Sequence, residues 1–244
     1  MRSFLRACSA EMLKMKRTLA LWLAVLTPLL VVVLQFVFLL RVPQARLKAG
    51  IWPALQNGLM LWAIFLLPLL ACLLTALLNG IEHRDGNWKQ IFSRPVSRAA
   101  VYSAKAVAAH VLLALGSISV YAGLITAGYI GHILLPKVPF GPAPWLPLFQ
   151  KLGLVYAASS ALIAIHLWVG ARVKTFALPL GVGVCAVLTS LIAANDQVMV
   201  YWPWMAPANT TQPERLTAAL AVGIGGGIAI VALGAWDIAR RDIL

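Results

Sequence analysis

Several uninterrupted apolar runs in this chain reach the length of about 20 residues that a helix needs to cross roughly 30 Å of hydrocarbon. That feature decides the fold class before any motif is considered. Inside lipid there is no water to satisfy backbone amides and carbonyls, so at these run lengths only helices close all their own hydrogen bonds. Composition agrees: 61% of the 244 residues are hydrophobic and only 11% are charged, against about a quarter charged in a soluble domain. The sequence predicts an all-α integral membrane protein forming a single domain over residues 1–244.

Six transmembrane helices are predicted, near Leu19–Leu40, Leu55–Leu78, Val101–Ile130, Leu152–Val169, Ala177–Ala194 and Leu216–Trp236. Pro28 and Pro68 lie inside the first two and should kink them, because proline removes a helical donor and its ring presses on the preceding turn. The third run is long enough to tilt or break. A tight turn over Gly170–Thr175 should join the fourth and fifth. Ahead of the first span, residues 1–17 predict an amphipathic interfacial helix. Met1, Phe4, Leu5, Cys8, Met12 and Met15 share one stripe, with Arg2, Arg6, Lys14 and Arg17 opposite and Lys16 snorkelling at the edge. Leu13 and Glu11 fall on the wrong sides of that pattern.

A net charge of +13 would suggest nucleic acid in a soluble protein, but here the cations flank apolar spans and suit anionic lipid headgroups. No basic stripe interleaved with stacking aromatics lies elsewhere, so nucleic acid is not an expected partner and membrane lipid is. Six spans place both termini on one side. The segments on that side hold most of the 20 basic residues, while Arg41, Arg46, Lys48, Lys137, Lys151 and Arg215 fall on the other. The positive-inside rule therefore predicts both termini in the cytoplasm.

The two larger outside segments differ in character. Leu134–Leu148 contains Pro136, Pro139, Pro142, Pro144 and Pro147 and should be extended and stiff. The outer-face loop over 195–215 contains Tyr201, Trp202, Pro203, Trp204 and Pro207, and is too aromatic to be a solvated connection. Rings of this type favour the bilayer interface, so the segment should re-enter or lie along the outer leaflet.

Enzymatic motifs are missing. The chain has no GxxxxGK[ST] phosphate loop, no HExxH and no GxSxG, and its cysteines Cys8, Cys72 and Cys185 are too dispersed for a disulfide framework or a metal site. His110 and His166 fall within spans, where a polar residue invites a functional reading. A neutral imidazole bonded to a neighbouring helix is the commoner state, and no carboxylate lies within the spans to orient either one. Gln35 is equally open between a cross-helix bond and a substrate contact. Gly223-Ile-Gly-Gly-Gly227 lies in an apolar span and reads as a close helix-packing surface rather than a nucleotide loop.

The segment over 80–100 is different, since charge, aromatics, glycine and proline crowd together there. Asp85 can cap a helix starting at Gly86, which would put Trp88, Ile91 and Phe92 on one face. Lys89 and Gln90 would point elsewhere, and Pro95 disfavours helical geometry at Arg94 and ends the element. Ser97 can then cap the third span. The prediction is a two-turn helix with an apolar face, held between spans two and three. An interfacial helix merely resting on the membrane would fit the same pattern.

Glu82-x3-Gly86-x-Trp88-Lys89-Gln90, followed by Arg94-Pro95-Val96-Ser97-Arg98 and Tyr102-x2-Lys105, resembles the cytoplasmic loop of ABC-2-type permeases, and most nearly those of bacterial lantibiotic immunity and peptide resistance. The aromatic Tyr201–Pro207 segment resembles theirs too. The resemblance implies the permease subunit of an ATP-driven exporter in the bacterial inner membrane. Two such chains, identical or related, would pair, and two separate ABC ATPase subunits would bind the ATP and Mg that this chain has no site for. The helix between spans two and three would be the coupling helix. By that resemblance Trp88, Ile91 and Phe92 anchor in the ATPase, Lys89, Arg94 and Arg98 form a charged rim, and Glu82 orients the loop. A membrane scaffold or sensor subunit that transports nothing is the alternative.

Overall fold

The computed structural model describes residues 2–16, 18–83, 97–173, 175–194 and 196–240. The expected coupling helix, with Asp85, Gly86, Trp88, Lys89, Ile91, Phe92, Arg94 and Pro95, lies outside these residues, as does the side chain of Glu82. All regular structure among the described residues is helical. In chain order the helices are α1 (Arg2–Met15), α2 (Leu19–Arg41), α3 (Ile51–Leu61), α4 (Leu67–His83), α5 (Arg98–Leu134), α6 (Trp145–Ala158), α7 (Ser160–Arg172), α8 (Ala177–Ile192), α9 (Ala206–Asn209), α10 (Leu216–Leu220) and α11 (Gly226–Arg240).

Five stretches are long and apolar enough to cross a membrane: Leu19–Arg41, Ile51–Gly80, Arg98–Leu134, Trp145–Arg172 and Pro213–Arg240. The expected fifth span is a shorter apolar helix. Helix α8 has 16 residues, about 24 Å at 1.5 Å each, because the chain leaves helical geometry at Ala193 instead of continuing through Ala194. The third span does not break: α5 runs unbroken for 37 residues, about 55 Å, and so exceeds the hydrocarbon thickness. The break falls instead in the next span, at Ser159, between α6 and α7. The Ser159 hydroxyl donates to the Tyr156 carbonyl at 2.6 Å, and that of Ser160 to the Ala157 carbonyl at 2.9 Å. These local bonds compete with the helical ladder and favour such interruptions.

Pro68 has a visible consequence. Immediately before it, Trp62–Leu66 forms a π turn joining α3 to α4, and the Leu67 amide reaches back to the Trp62 carbonyl. The wider turn answers the proline ring's crowding of the carbonyl four residues earlier. A second π turn, Ala221–Gly225, joins α10 to α11.

Helix α5 packs against α1, α2, α4, α6, α7 and α11, while α4 also packs against α7 and α8. Span two is 67% buried in its apolar window, compared with 22% for α2 and 17% for the last span. The centre of the molecule is therefore α3–α4 against α5 and α7, and the first and last spans form flanks. Gly223 and Gly227 meet the backbone around Ala158 and Ser160, so the second π turn and the start of α11 are in close contact with the interruption in the fourth span.

The 134–148 segment is not simply an extended spacer. Leu135 and Val138 are buried, Pro139 accepts from the Ile51 amide at 3.0 Å, and the Phe140 ring lies 5.2 Å from Trp52. Gly50, at φ +99°, permits that approach, since only glycine holds the conformation cheaply. Pro147 sits inside the first turn of α6, where a missing amide proton has no helical acceptor to lose.

Candidate functional site

Helix α1 is docked on α5 with its register turned from the expected stripe. Ala7, Glu11 and Met15 are buried, whereas Leu5 is 60% exposed and Leu13 62%. The rotation follows from Glu11. This carboxylate is only 2% exposed and accepts from Lys105 Nζ at 3.1 Å through one oxygen and from Lys14 Nζ at 2.7 Å through the other. Lys105 is fully buried, and its ammonium also donates to the Leu78 carbonyl at 3.1 Å. Burying two unpaired charges would cost several kcal/mol each, so the pair persists because each charge meets its partner and further hydrogen bonds. Cys8, one turn away on α1, has its thiol pushed up by burial and then by the Glu11 charge.

This cluster lies where the expected coupling loop is attached. Leu78 is in the last turns of α4, which ends at His83; Lys105 is in the first turns of α5, which starts at Arg98. The intervening residues 84–96 therefore spring from two helix ends strapped to each other and to α1. Ser97 caps α5, its hydroxyl accepting from the Ala100 amide at 3.3 Å. Arg98 opens α5, and Glu82 lies in the final turn of α4. Tyr102, 1% exposed, packs its ring and hydroxyl against Gly234 of α11.

The same end of the bundle has a second brace. Arg172 makes a two-pronged contact with Asp237, Nη2 to Oδ1 at 2.8 Å and Nε to Oδ2 at 3.2 Å. Trp168 Nε1 donates to Oδ2 at 3.1 Å, and the guanidinium lies 4.9 Å from the Trp168 ring. Such a fork fixes orientation as well as distance, and here it joins the ends of α7 and α11.

At the opposite end the aromatic segment folds back into the bundle. Asp196 caps the 3-10 turn Gln197–Tyr201, after which Trp204, Pro207 and all of α9 are buried. Tyr201 remains 70% exposed, and Trp202 and Pro203 are half-buried. Asn209 holds the fold with its amide, donating to the Met199 carbonyl at 3.0 Å. Trp204 Nε1 donates to His166 Nε2 at 3.2 Å, and Cys72 Sγ lies 3.0 Å from the same nitrogen. Indole is only a donor, so Nε2 carries a lone pair and the imidazole is neutral. Its acceptor is already engaged by two neighbours, which makes it a tie between three segments rather than a base. His110 directs Nδ1 at the Ala106 carbonyl, 2.8 Å away. Among the described residues, no three His, Cys, Asp or Glu side chains group as a metal site would require.

Sequence reasoning missed Glu11 and Lys14 as parts of this arrangement. The available signal was the misfit itself, a carboxylate on the apolar side of an otherwise regular amphipathic helix.

With this geometry in view, a family model described as ABC-2 family transporter protein matches residues 7–190. The match covers most of the chain, which therefore belongs to that family. It begins within α1 and ends within α8, so it includes Glu11, Lys105 and the 84–96 segment and stops before the aromatic outer segment. No curated protein and no solved structure matches the chain significantly.

Proposed function

We propose that this ABC-2 family chain is the transmembrane subunit of an ATP-driven exporter, moving a hydrophobic or amphipathic peptide or lipid-like substrate with energy from a separate ATPase. The observation that carries the proposal is the Glu11–Lys105–Leu78 strap. A coupling segment transmits force only if its stems resist bending, and here both stems are held at buried charges and anchored to α1. ATP closure in the partner would displace 84–96, and α4, α5 and α1 would move with it as one body. The ATPase must contact the segment differently in its open and closed states, because a ligand shifts an equilibrium only by its differential affinity.

In this mechanism Trp88, Ile91 and Phe92 fill a groove in the ATPase, and Lys89, Arg94 and Arg98 make rim contacts. Asp85, Gly86 and Pro95 delimit the helix, and Glu82 orients it. The permease pairs with a second, identical or related chain, and two ATPases hold ATP and Mg beneath them. Both termini face the cytoplasm of a bacterial cell. The resemblance of the 82–105 segment to lantibiotic-immunity and peptide-resistance permeases favours an antimicrobial peptide as cargo.

Co-purification from mild detergent tests the proposal. Wild-type chain should bring down a stoichiometric ATPase, and Trp88→Asp should remain folded in membranes yet lose it. Undiminished ATPase recovery with the variant would overturn the coupling assignment. An ATPase that binds but turns over at the same rate without this chain would instead favour a scaffold or sensor.

A further inference from the structure

A cavity of about 590 Å³ lies between α5 and α11, outside the strap and the outer aromatic cluster. Phe4 of α1 lines it too, as do Tyr156 and Ser160 where the fourth span is interrupted. Its size is in the roughly 300–1,000 Å³ range that holds one small molecule. Val107, Val111 and Ile228 line it and are 39%, 45% and 68% exposed on the flank of the bundle, so it opens sideways at the depth of the spans. A molecule dissolved in the bilayer reaches it without passing through water.

The polar groups of the lining define what can occupy it. The Tyr156 hydroxyl donates to the His110 carbonyl at 3.2 Å, the Ser160 hydroxyl to the Ala157 carbonyl at 2.9 Å, and His110 Nδ1–H to the Ala106 carbonyl at 2.8 Å. Each of these donors is spent on backbone. What remains is the Ser103 hydroxyl, which both donates and accepts, and lone pairs, chiefly that of His110 Nε2, about 18 Å along α5 from its first residue. An anionic group would lose its hydration with one hydroxyl and no cation in the lining to offset the loss. A cationic group would lose its hydration with no carboxylate in the lining to pair with. An uncharged hydroxyl on an otherwise apolar molecule satisfies the site.

We propose that this groove binds an uncharged, single-chain amphiphile whose hydroxyl donates to His110 Nε2. The binding belongs to the permease chain alone and does not depend on the ATPase coupling argued above. A two-chain membrane lipid such as diacylglycerol has the same hydroxyl but twice the chain to place in about 590 Å³.

The full chain, reconstituted in lipid nanodiscs without an ATPase, should be photolabelled with a diazirine-bearing long-chain alkanol. Parallel samples take its methyl ether, which has the same chain and no donor, and a diazirine diacylglycerol. Peptide mapping by mass spectrometry should find the alkanol on the groove residues at roughly two- to tenfold the level of the ether, the range one hydrogen bond allows. His110→Phe should remove the preference and His110→Gln, which retains an acceptor, should keep it. Equal labelling by alkanol and ether, or a preference that survives in His110→Phe, would overturn the proposal. Stronger labelling by diacylglycerol would overturn its single-chain part. If His110→Phe does not fold, the alkanol-to-ether ratio in wild type still decides.

Discussion

At the scale of single residues, the decisive group is one that an amphipathic analysis scores as an error. Helical-wheel reasoning assigns each face of α1 to lipid or to water, and a carboxylate among methionines fits neither. It fits a third environment, a lysine 94 residues away in the chain, which no local pattern reports. Lys105 in turn is held in an apolar span by the hydrogen bonds that Glu11 and the Leu78 carbonyl accept from it. Removing one member of a buried pair strands the other, at a cost of about 3–5 kcal/mol, whereas removing both is far milder. Lys105→Met should therefore lower the unfolding temperature of the detergent-solubilised chain markedly. Adding Glu11→Gln should recover part of the loss. A double variant whose destabilisation is the plain sum of the two singles, within about 0.5 kcal/mol, would mean the charges are not coupled.

At the scale of helices, the spans were legible and their irregularities only partly so. Apolar length alone marks five of them, because lipid imposes the same requirement on every crossing. Pro68 announced a distortion, and the π turn ahead of it is the form that distortion takes. The interruption at Ser159 carried no such warning, since serine bonds to its own helix in straight and broken spans alike. The stretch Gly223–Gly227 was legible as a packing surface, but the sequence did not say which glycines touch. The structure separates them. A Cβ on Gly223 would collide with the Ala158 backbone, while one on Gly225 would meet nothing. Alanine favours helix over glycine by about 1 kcal/mol, so Gly225→Ala should be neutral or slightly stabilising. Gly223→Ala should instead destabilise by about 1–3 kcal/mol through overpacking. Thermal melts that rank the two alike would refute the close contact between this π turn and the interrupted span.

At the scale of the whole molecule, function depends on which side of the membrane each end of the bundle faces. The strap, the Arg172–Asp237 fork and the attachment points of 84–96 lie at one end; the docked 134–148 segment and the buried aromatic segment lie at the other. ATP is available only in the cytoplasm, so the coupling reading requires the strapped end to be there, as the distribution of Lys and Arg predicts. Single cysteines test this directly in a chain whose Cys8, Cys72 and Cys185 have been replaced. Lys137 and Arg240 are both exposed and lie at opposite ends. Lys137→Cys should react with a membrane-impermeant maleimide in intact cells, and Arg240→Cys only after permeabilisation. The reverse pattern would put residues 84–96 outside the cell, out of reach of any nucleotide-driven partner. The strap would then be a structural fastening alone, and energy coupling would have to be abandoned even though the family assignment stood.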